Sequence, residues 1–451
     1  MKKTKRSILT LAVVLAGFLM LSCDALLDVD PQQSIDESDA LSTPGNVQAA
    51  LVGAYSIHRA ASQYGGRYQM LPDLLADDGD IAWTGTFFQP REVFDKIIST
   101  DNSYTQSVWV GSYNTINRAN NVLSALDVLD EQDRVRVEAE ARFLRAAAHF
   151  ELVRVFGRAY NDGNPSENPG VPIVLTPTRG IDESSQLPRA SVEDVYQAVI
   201  SDFTFAKNNL PEVNGVFANT FVASAMLSRV HLMRGEYAQA ATEATRVIDS
   251  GRFSLMNTFA EAFNNEGNVS ETVYGLIVTP QDGSNELNLF YASSNFNGRG
   301  DIDILDQHMA RYEADDERAD FFYTGGGALR TAKWQTFTNI PTIRLAELYL
   351  TRAEANLRAG TTTGDSPAND LNLIRERAGL AALDAADVTV DAVLQERRLE
   401  LAFEGHLLHD LKRTGRSVGD LPFDANQLIF PIPQREMEVN PNLVQNPGYG
   451  S

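Results

Sequence analysis

The sequence predicts a mainly α fold in which helical hairpins alternate with long irregular loops. Two observations carry this. Apolar residues recur at helical spacing over several long stretches, and these stretches come in pairs with small Ala residues at the contact positions and a Gly at the turn. The segments 62–105, 160–190 and 257–340 lack a sustained period, and long irregular insertions in compact domains are usually functional.

The first helical pattern runs from Asn46 to Ala61. In "WVGSYNTINRANNVLSALDVL", Ile116, Ala119, Val122 and Leu123 fall near one face. In "VEAEARFLRAAAHFELVRVFG", Ala139, Phe143, Ala146, Phe150 and Val153 form a stripe that Gly157 stops. "SVEDVYQAVISDFTFAKNNLP" begins with Ser191, and Asp194 follows three residues on, a variant of the N-capping pattern. "FVASAMLSRVHLMRGEYAQAATEATRVIDSGRFSL" reads as two helices joined at Gly235, with a stop at Gly251. "IPTIRLAELYLTRAEANLRAG" and "SPANDLNLIRERAGL" read as another pair. Such pairs resemble tetratricopeptide hairpins, but they do not repeat at a fixed 34-residue period.

The N-terminus is separable. Lys2, Lys3, Lys5 and Arg6 precede an almost unbroken apolar run from Ile8 to Leu21. That run is shorter than the ~20 residues of a bilayer span and fits a secretory signal over residues 1–22. The single cysteine closes it in "LMLSC", so no intramolecular disulfide is available. The position suits acylation of Cys23 as the first residue of a lipoprotein, with Met20 where Leu is more usual. Several acyl chains give stable anchoring where one is marginal. Residues 23–44 then read as an acidic tether. With 60 acidic against 38 basic residues, the formal net charge is −22, and removing the signal makes it more negative. This argues against nucleic-acid binding, which needs a basic footprint.

The sequence holds no phosphate-binding loop, nucleophile elbow, zinc-protease motif or dinucleotide fingerprint. No enzymatic activity, cofactor or metal is predicted, although two carboxylates suffice for a glycosidase. Two acidic clusters, Asp77-Asp78-Asp80 and Asp301-Asp303-Asp306, have a calcium reading, but neither follows EF-hand spacing and such clusters are more often solvated turns. "FEGHLLHDLKR", Phe403 to Arg413, gathers two histidines and two carboxylates. On one straight helix Leu394, Leu401, Gly405 and Leu408 form a core stripe and Glu404 faces away from His406. His406 and Asp410 are spaced to pair, and Glu396 at the start with Lys412 and Arg413 at the end suits the helix dipole. That makes it a packing helix. "GGG" at 325–327 reads as a flexible turn.

The aromatics of the loops point to binding. Tyr64, Tyr68, Trp83, Phe87 and Phe88 cluster in the first irregular region. Phe290, Tyr291, Phe296, Arg299 and Trp334 cluster in the third. Flat apolar faces with a few placed polar groups suit sugar rings. The competing reading is that each ring is ordinary core filling. The candidate ligand contacts are Tyr68, Asp78, Trp83, Phe88, Arg299 and Trp334.

"QERRLELAFEGHLLHDLKRTG" and the closing "IFPIPQREMEVNPNLVQNPGY" resemble signature segments of the SusD/RagB family of Bacteroidota surface lipoproteins. "CDALLDVDP", "YNTINRANNVL", "EARFLRAAAHFELVRVFG" and "RLAELYLTRAEANLRAG" resemble further family segments in the expected order. The resemblance covers essentially the whole mature chain. It implies tetratricopeptide-like hairpins in a right-handed scaffold with irregular loops and a few short strands. It divides the chain into an N-terminal region, 45–218, and a C-terminal region, 219–451, that form one compact unit. It further implies a lipid-anchored place on the outer membrane. The role would be a lid over a SusC-like TonB-dependent transporter, capturing an oligosaccharide or, less often, a peptide. The family's ligand loops are variable, so no binding residue is carried over from it.

Overall fold

The computed structural model describes residues 40–180, 185–278, 285–336 and 339–450. Cys23, the signal and most of the tether lie outside them.

The helical part starts with α1 (Pro44–His58), with Thr43 as N-cap and Pro44 in the first turn. After α2 (Arg67–Leu75), β1 (Ile81–Trp83) and the short α3 (Phe88–Phe94) come the two longest helices, α4 (Ser103–Leu123) and α5 (Glu131–Phe156). They are followed by α6 (Val192–Asn209), α7 (Thr220–Arg234) and α8 (Tyr237–Ile248). Side-chain caps start most of them: Asn102 for α4, Asp130 for α5, Ser191 for α6 and Asn219 for α7. Gly235 makes the α7–α8 turn at φ 73°, a left-handed conformation that glycine adopts without strain.

The third irregular region is largely structured. It contains β2 (Thr272–Ile277), α9 (Glu286–Tyr291), β3 (Ile302–Ile304), α10 (Asp306–Met309), β4 (Phe322–Gly325), β5 (Ala328–Thr331) and β6 (Asn339–Arg344). Then α11 (Leu345–Ala359), α12 (Pro367–Arg377), α13 (Val390–Glu400), α14 (Leu407–Arg413) and α15 (Gln434–Val439) complete the chain. Two antiparallel sheets form. One pairs β2 with β6, and the other has the order β1-β3-β5-β4. Gly326 and Gly327 both have positive φ between β4 and β5. The "GGG" segment is therefore a two-residue hairpin turn with defined geometry.

Neighbouring helices stack side by side from α4 through α8 to α11 and α12. Bidentate ion pairs brace the stack: Arg145 with Asp202, Arg229 with Glu347, and Arg352 with Asp370. The main apolar cluster extends from Val47 to Leu443 and draws on both halves of the chain. The 160–190 segment stays mostly irregular. Arg189 anchors it by donating to the carbonyls of Phe156, Pro169, Gly170 and Val444. The closing "NPGY" anchors the chain end in a similar way. Asn446 donates to the carbonyls of Phe156 and Phe430, and Tyr449 to that of Ile429.

The expected straight helix through 403–413 is broken. α13 ends at Glu400, and Phe403 (φ 64°) and Gly405 (φ 81°) turn the chain before α14 begins. Side chains from elsewhere supply the donors that a continuing helix would have provided. Lys333 Nζ donates to the carbonyls of Glu400 and Ala402, Trp334 Nε1 to that of Phe403, and Arg344 Nη2 to that of Glu400. A Cβ at Gly405 would lie 2.5 Å from Gln69 Cα, so α2 approaches here to backbone distance. The stripe residues are buried as expected, but Leu394 is on α13, Leu408 on α14, and Leu401 and Gly405 lie in the turn between them. Glu404 turns inward to Lys333 and Arg344, and Asp410 pairs with Arg397 and Arg413 rather than with His406. Glu396 binds Arg318 and Arg375, so it shares no helix with Lys412 and Arg413.

Candidate functional site

The four-stranded sheet joins the two aromatic regions that sequence separates by some two hundred residues. β1 pairs with β3 in the register Ile81–Ile304 and Trp83–Ile302. The chain leaving β1 and the chain entering β3 therefore emerge at the same end of the pair. Thr84 N–H donates to the Asp301 carbonyl at 2.8 Å. Across that end, Phe290 is a buried floor. Its ring lies 5.5 Å from Trp83, 6.1 Å from Phe87 and 6.4 Å from Tyr104. Trp83 is 3% exposed, and its Nε1–H donates to the Phe87 carbonyl, which fixes the turn that presents Phe87 and Phe88. Those two rings are 39% and 61% exposed. Arg91 holds the same turn from the side by donating to the carbonyls of Trp83 and Gly85.

Polar groups sit beside the exposed rings. The Arg299 guanidinium lies 4.6 Å over Phe87, donates to Asp301 at 2.8 Å and reaches the Thr86 hydroxyl. Thr84 donates to Asp303. Half-buried Phe296 packs against Tyr323 at 5.1 Å, and Asn295 and Asn297 are exposed on the same turn. On the other flank Arg67 stacks 3.9 Å over Tyr104 while binding Glu286 through two hydrogen bonds. The result is an exposed aromatic rim with hydroxyl, amide and guanidinium groups around it. This suits a ligand with apolar faces and many hydroxyls.

Of the residues expected at a site, Phe88 and Arg299 reach this rim and Trp83 lies directly beneath it. Tyr68 and Trp334 do not present a face. Tyr68 is 5% exposed with its hydroxyl on Ser112 and Gln63, and Trp334 is 2% exposed and bound to the Phe403 carbonyl. Burial and internal hydrogen bonds make both part of the core. Asp78 lies at the opposite end of β1, paired with Arg398 and Arg311. In the first acidic cluster, burial would raise Asp80, but the hydrogen bond from His308 and the Arg398 guanidinium hold it well below the usual carboxylate range. Asp77 caps its own turn by accepting from Gly79 and Ile81. In the second cluster, Asp301 and Asp303 pair with Arg299 and Arg330. Asp78, Asp80, Asp301 and Asp303 thus face guanidinium groups, and no metal-holding group of three is found among the described residues. Sequence reasoning missed Tyr104, Arg91 and Tyr323. Tyr104 lay inside the first irregular region, 62–105, without being singled out among its aromatics.

Two family models match the chain. One, described as "SusD family", covers residues 322–420, and one described as "Starch-binding associating with outer membrane" covers 26–232. Together they span more than half of it. The chain belongs to the SusD/RagB family. Among SusD-like relatives, protein P2 of Formosa agariphila is 27% identical over the full length of both chains. The starch-binding protein SusD of Bacteroides thetaiotaomicron is 23% identical over 78% of this chain and 80% of its own. The fold is that of the SusD superfamily. A SusD superfamily protein of B. thetaiotaomicron superposes with a TM-score of 0.81 at 25% identity, covering 90% of this chain and all of that one. A protein of Bacteroides vulgatus whose structure is described as that of a "Putative sugar binding protein" gives 0.81 at 26% identity over 90% of this chain and 99% of that one.

Proposed function

We propose that this SusD-family chain captures an oligosaccharide at the cell surface, with the Phe87–Phe88–Arg299 rim as its contact face. The observation that supports this most is the convergence of exposed rings and hydroxyl-bonding groups from two distant segments onto one end of a sheet, in a chain with relatives described as starch- or sugar-binding. Stacking and hydroxyl bonding along a rim need only supply micromolar affinity, about −8 kcal/mol.

In this reading the chain is a lipoprotein held in the outer membrane through Cys23. Residues 24–44 are its tether, and the N-terminal region 45–218 and C-terminal region 219–451 act as one body. It closes as a lid on a SusC-like TonB-dependent transporter, so that the ligand is buried between two proteins before import. The ligand is a glycan, with a peptide as the alternative cargo. No bond in it is cleaved.

Titration calorimetry of the mature chain against a broad glycan panel and a peptide mixture tests this. Binding of a glycan that is recovered intact supports capture. Absence of any binding, alone or with the transporter, overturns it. Hydrolysis of the bound glycan overturns the non-enzymatic reading.

A further inference from the structure

A small cavity lies among α5, α6, α7 and α14. It uses the residues of "FEGHLLHDLKR" that the capture role leaves unexplained. Four cations, Arg154, Arg158, Lys412 and Arg413, line it together with His409. The ring edges of Tyr160 and Tyr196 close it, and no carboxylate is in its wall. Such a concentration of positive charge stands out in a chain of formal charge −22.

Three of these cations already hold carboxylate partners that lie outside the wall. Glu151 pairs with Arg154 and also accepts from the Tyr64 hydroxyl, and Asp162 pairs with Arg158. Glu354 and Asp410 pair with Arg413, and Asp410 is shared with Arg397. Lys412 forms no ion pair among the described residues; its Nζ donates to the Leu428 carbonyl at 3.0 Å and is 3% exposed. Two lining groups are buried with no hydrogen-bond partner among the described residues: Arg154 Nε and His409 Nε2. A buried polar atom without a partner is costly, and both of these belong to residues that line the cavity.

The electrostatics agree with the geometry. Burial, then the neighbouring Arg154 and Lys412, hold the His409 imidazole well below its usual range. Burial pushes the Lys412 ammonium down to about 8. A region where cations are hard to keep charged is one where an anion is stabilising. The free volume of about 20 Å³ exceeds the ~10–15 Å³ that one water needs.

We propose that this cavity binds one small inorganic anion of halide size, which bridges Arg154 on α5 to His409 and Lys412 on α14. The anion would tie the C-terminal signature helix to the longest helix of the scaffold. Its source is ambient chloride, and the site is independent of glycan capture.

Thermal unfolding of the mature chain in sodium chloride, against sodium gluconate at matched ionic strength, tests the site. Chloride is expected to raise the midpoint by about 2–4 °C relative to gluconate, as a ligand that binds only the folded state does. His409→Leu is expected to remove most of that increment, read as the chloride–gluconate difference within the variant itself, whatever its midpoint in gluconate. Crystals soaked in bromide are expected to show an anomalous peak within hydrogen-bond reach of Arg154 Nε and His409 Nε2. Equal midpoints with no bromide peak mean that water fills the cavity, and the proposal fails. A bromide peak without chloride-specific stabilisation means an adventitious ion only, and the proposal fails equally.

Discussion

The junction around Glu400–Gly405 and the rim around Phe87–Arg299 invert the usual placement of residue types. At the junction the charges are inside. Arg344 is 1% exposed and binds Glu271, Glu400 and Glu404, while Arg318 and Arg377 reach Glu400 from other sides. At the rim the rings are outside. Buried charge holds only where geometry satisfies every partner, so it specifies one arrangement of the chain. Exposed rings gain nothing from folding and are left for another molecule. Changes at the junction are therefore expected to alter stability with binding following passively, and changes at the rim the reverse.

The largest expected effect is at the junction. Arg344→Met leaves three buried carboxylates short of a cation and is expected to destabilise by about 3–5 kcal/mol. Urea unfolding measures it, and a loss under about 1 kcal/mol would break the contrast.

Asp73 gives the junction a pH signature. Its carboxylate accepts from Gly405 N–H and the Tyr291 hydroxyl, yet burial dominates and pushes it up to about 8. An unfolded Asp titrates near about 3.9. Between those values the folded protein holds a proton that the unfolded chain has released. Its contribution is thus complete below about pH 4 and is lost as pH rises through about 8, at about 1.4 kcal/mol per unit. Asp73→Asn is expected to remove that slope from the stability–pH curve. An unchanged curve means that Asp73 is ionised in the fold.

At the rim, Phe88→Ala is expected to weaken glycan binding about tenfold, or ~1.4 kcal/mol, with the urea midpoint unmoved. A shift in stability with intact affinity would make Phe88 a packing residue. The smallest effect belongs beneath the rim. Trp83→Phe keeps a ring on Phe290 but loses the hydrogen bond to the Phe87 carbonyl. It is expected to weaken binding about threefold through a looser turn, since one neutral hydrogen bond is worth about 1 kcal/mol.

What the sequence disclosed follows the same division between local and distant causes. Gly157, Ser191, Gly235 and Gly360 end or start helices as their residue types require, because caps act within a turn. The break after Glu400 was invisible, because its donors come from Lys333, Trp334 and Arg344, more than fifty residues earlier. The sheet was equally hidden. Its strands are three and four residues long, too short to show a period, and are defined by partners. Composition picked out both of the aromatic segments that the β1–β3 pairing brings together. It did not separate Trp83, Tyr68 and Trp334, which face inward, from Phe87 and Phe88, which face outward. Only strand direction and burial decide that.

The pairing of β1 with β3, and of β3 with β5, also sets a timetable. The rim needs residue 83 and residue 302, and its sheet is completed only when residue 331 has been delivered. A chain that emerges from its N-terminus first carries Phe87 and Phe88 for most of its journey without the floor and the guanidinium that organise them. If the rim is the contact face proposed above, nascent or truncated chains ending before the third irregular region are expected not to bind ligand. The protein acquires its grip late, after almost three quarters of it has arrived.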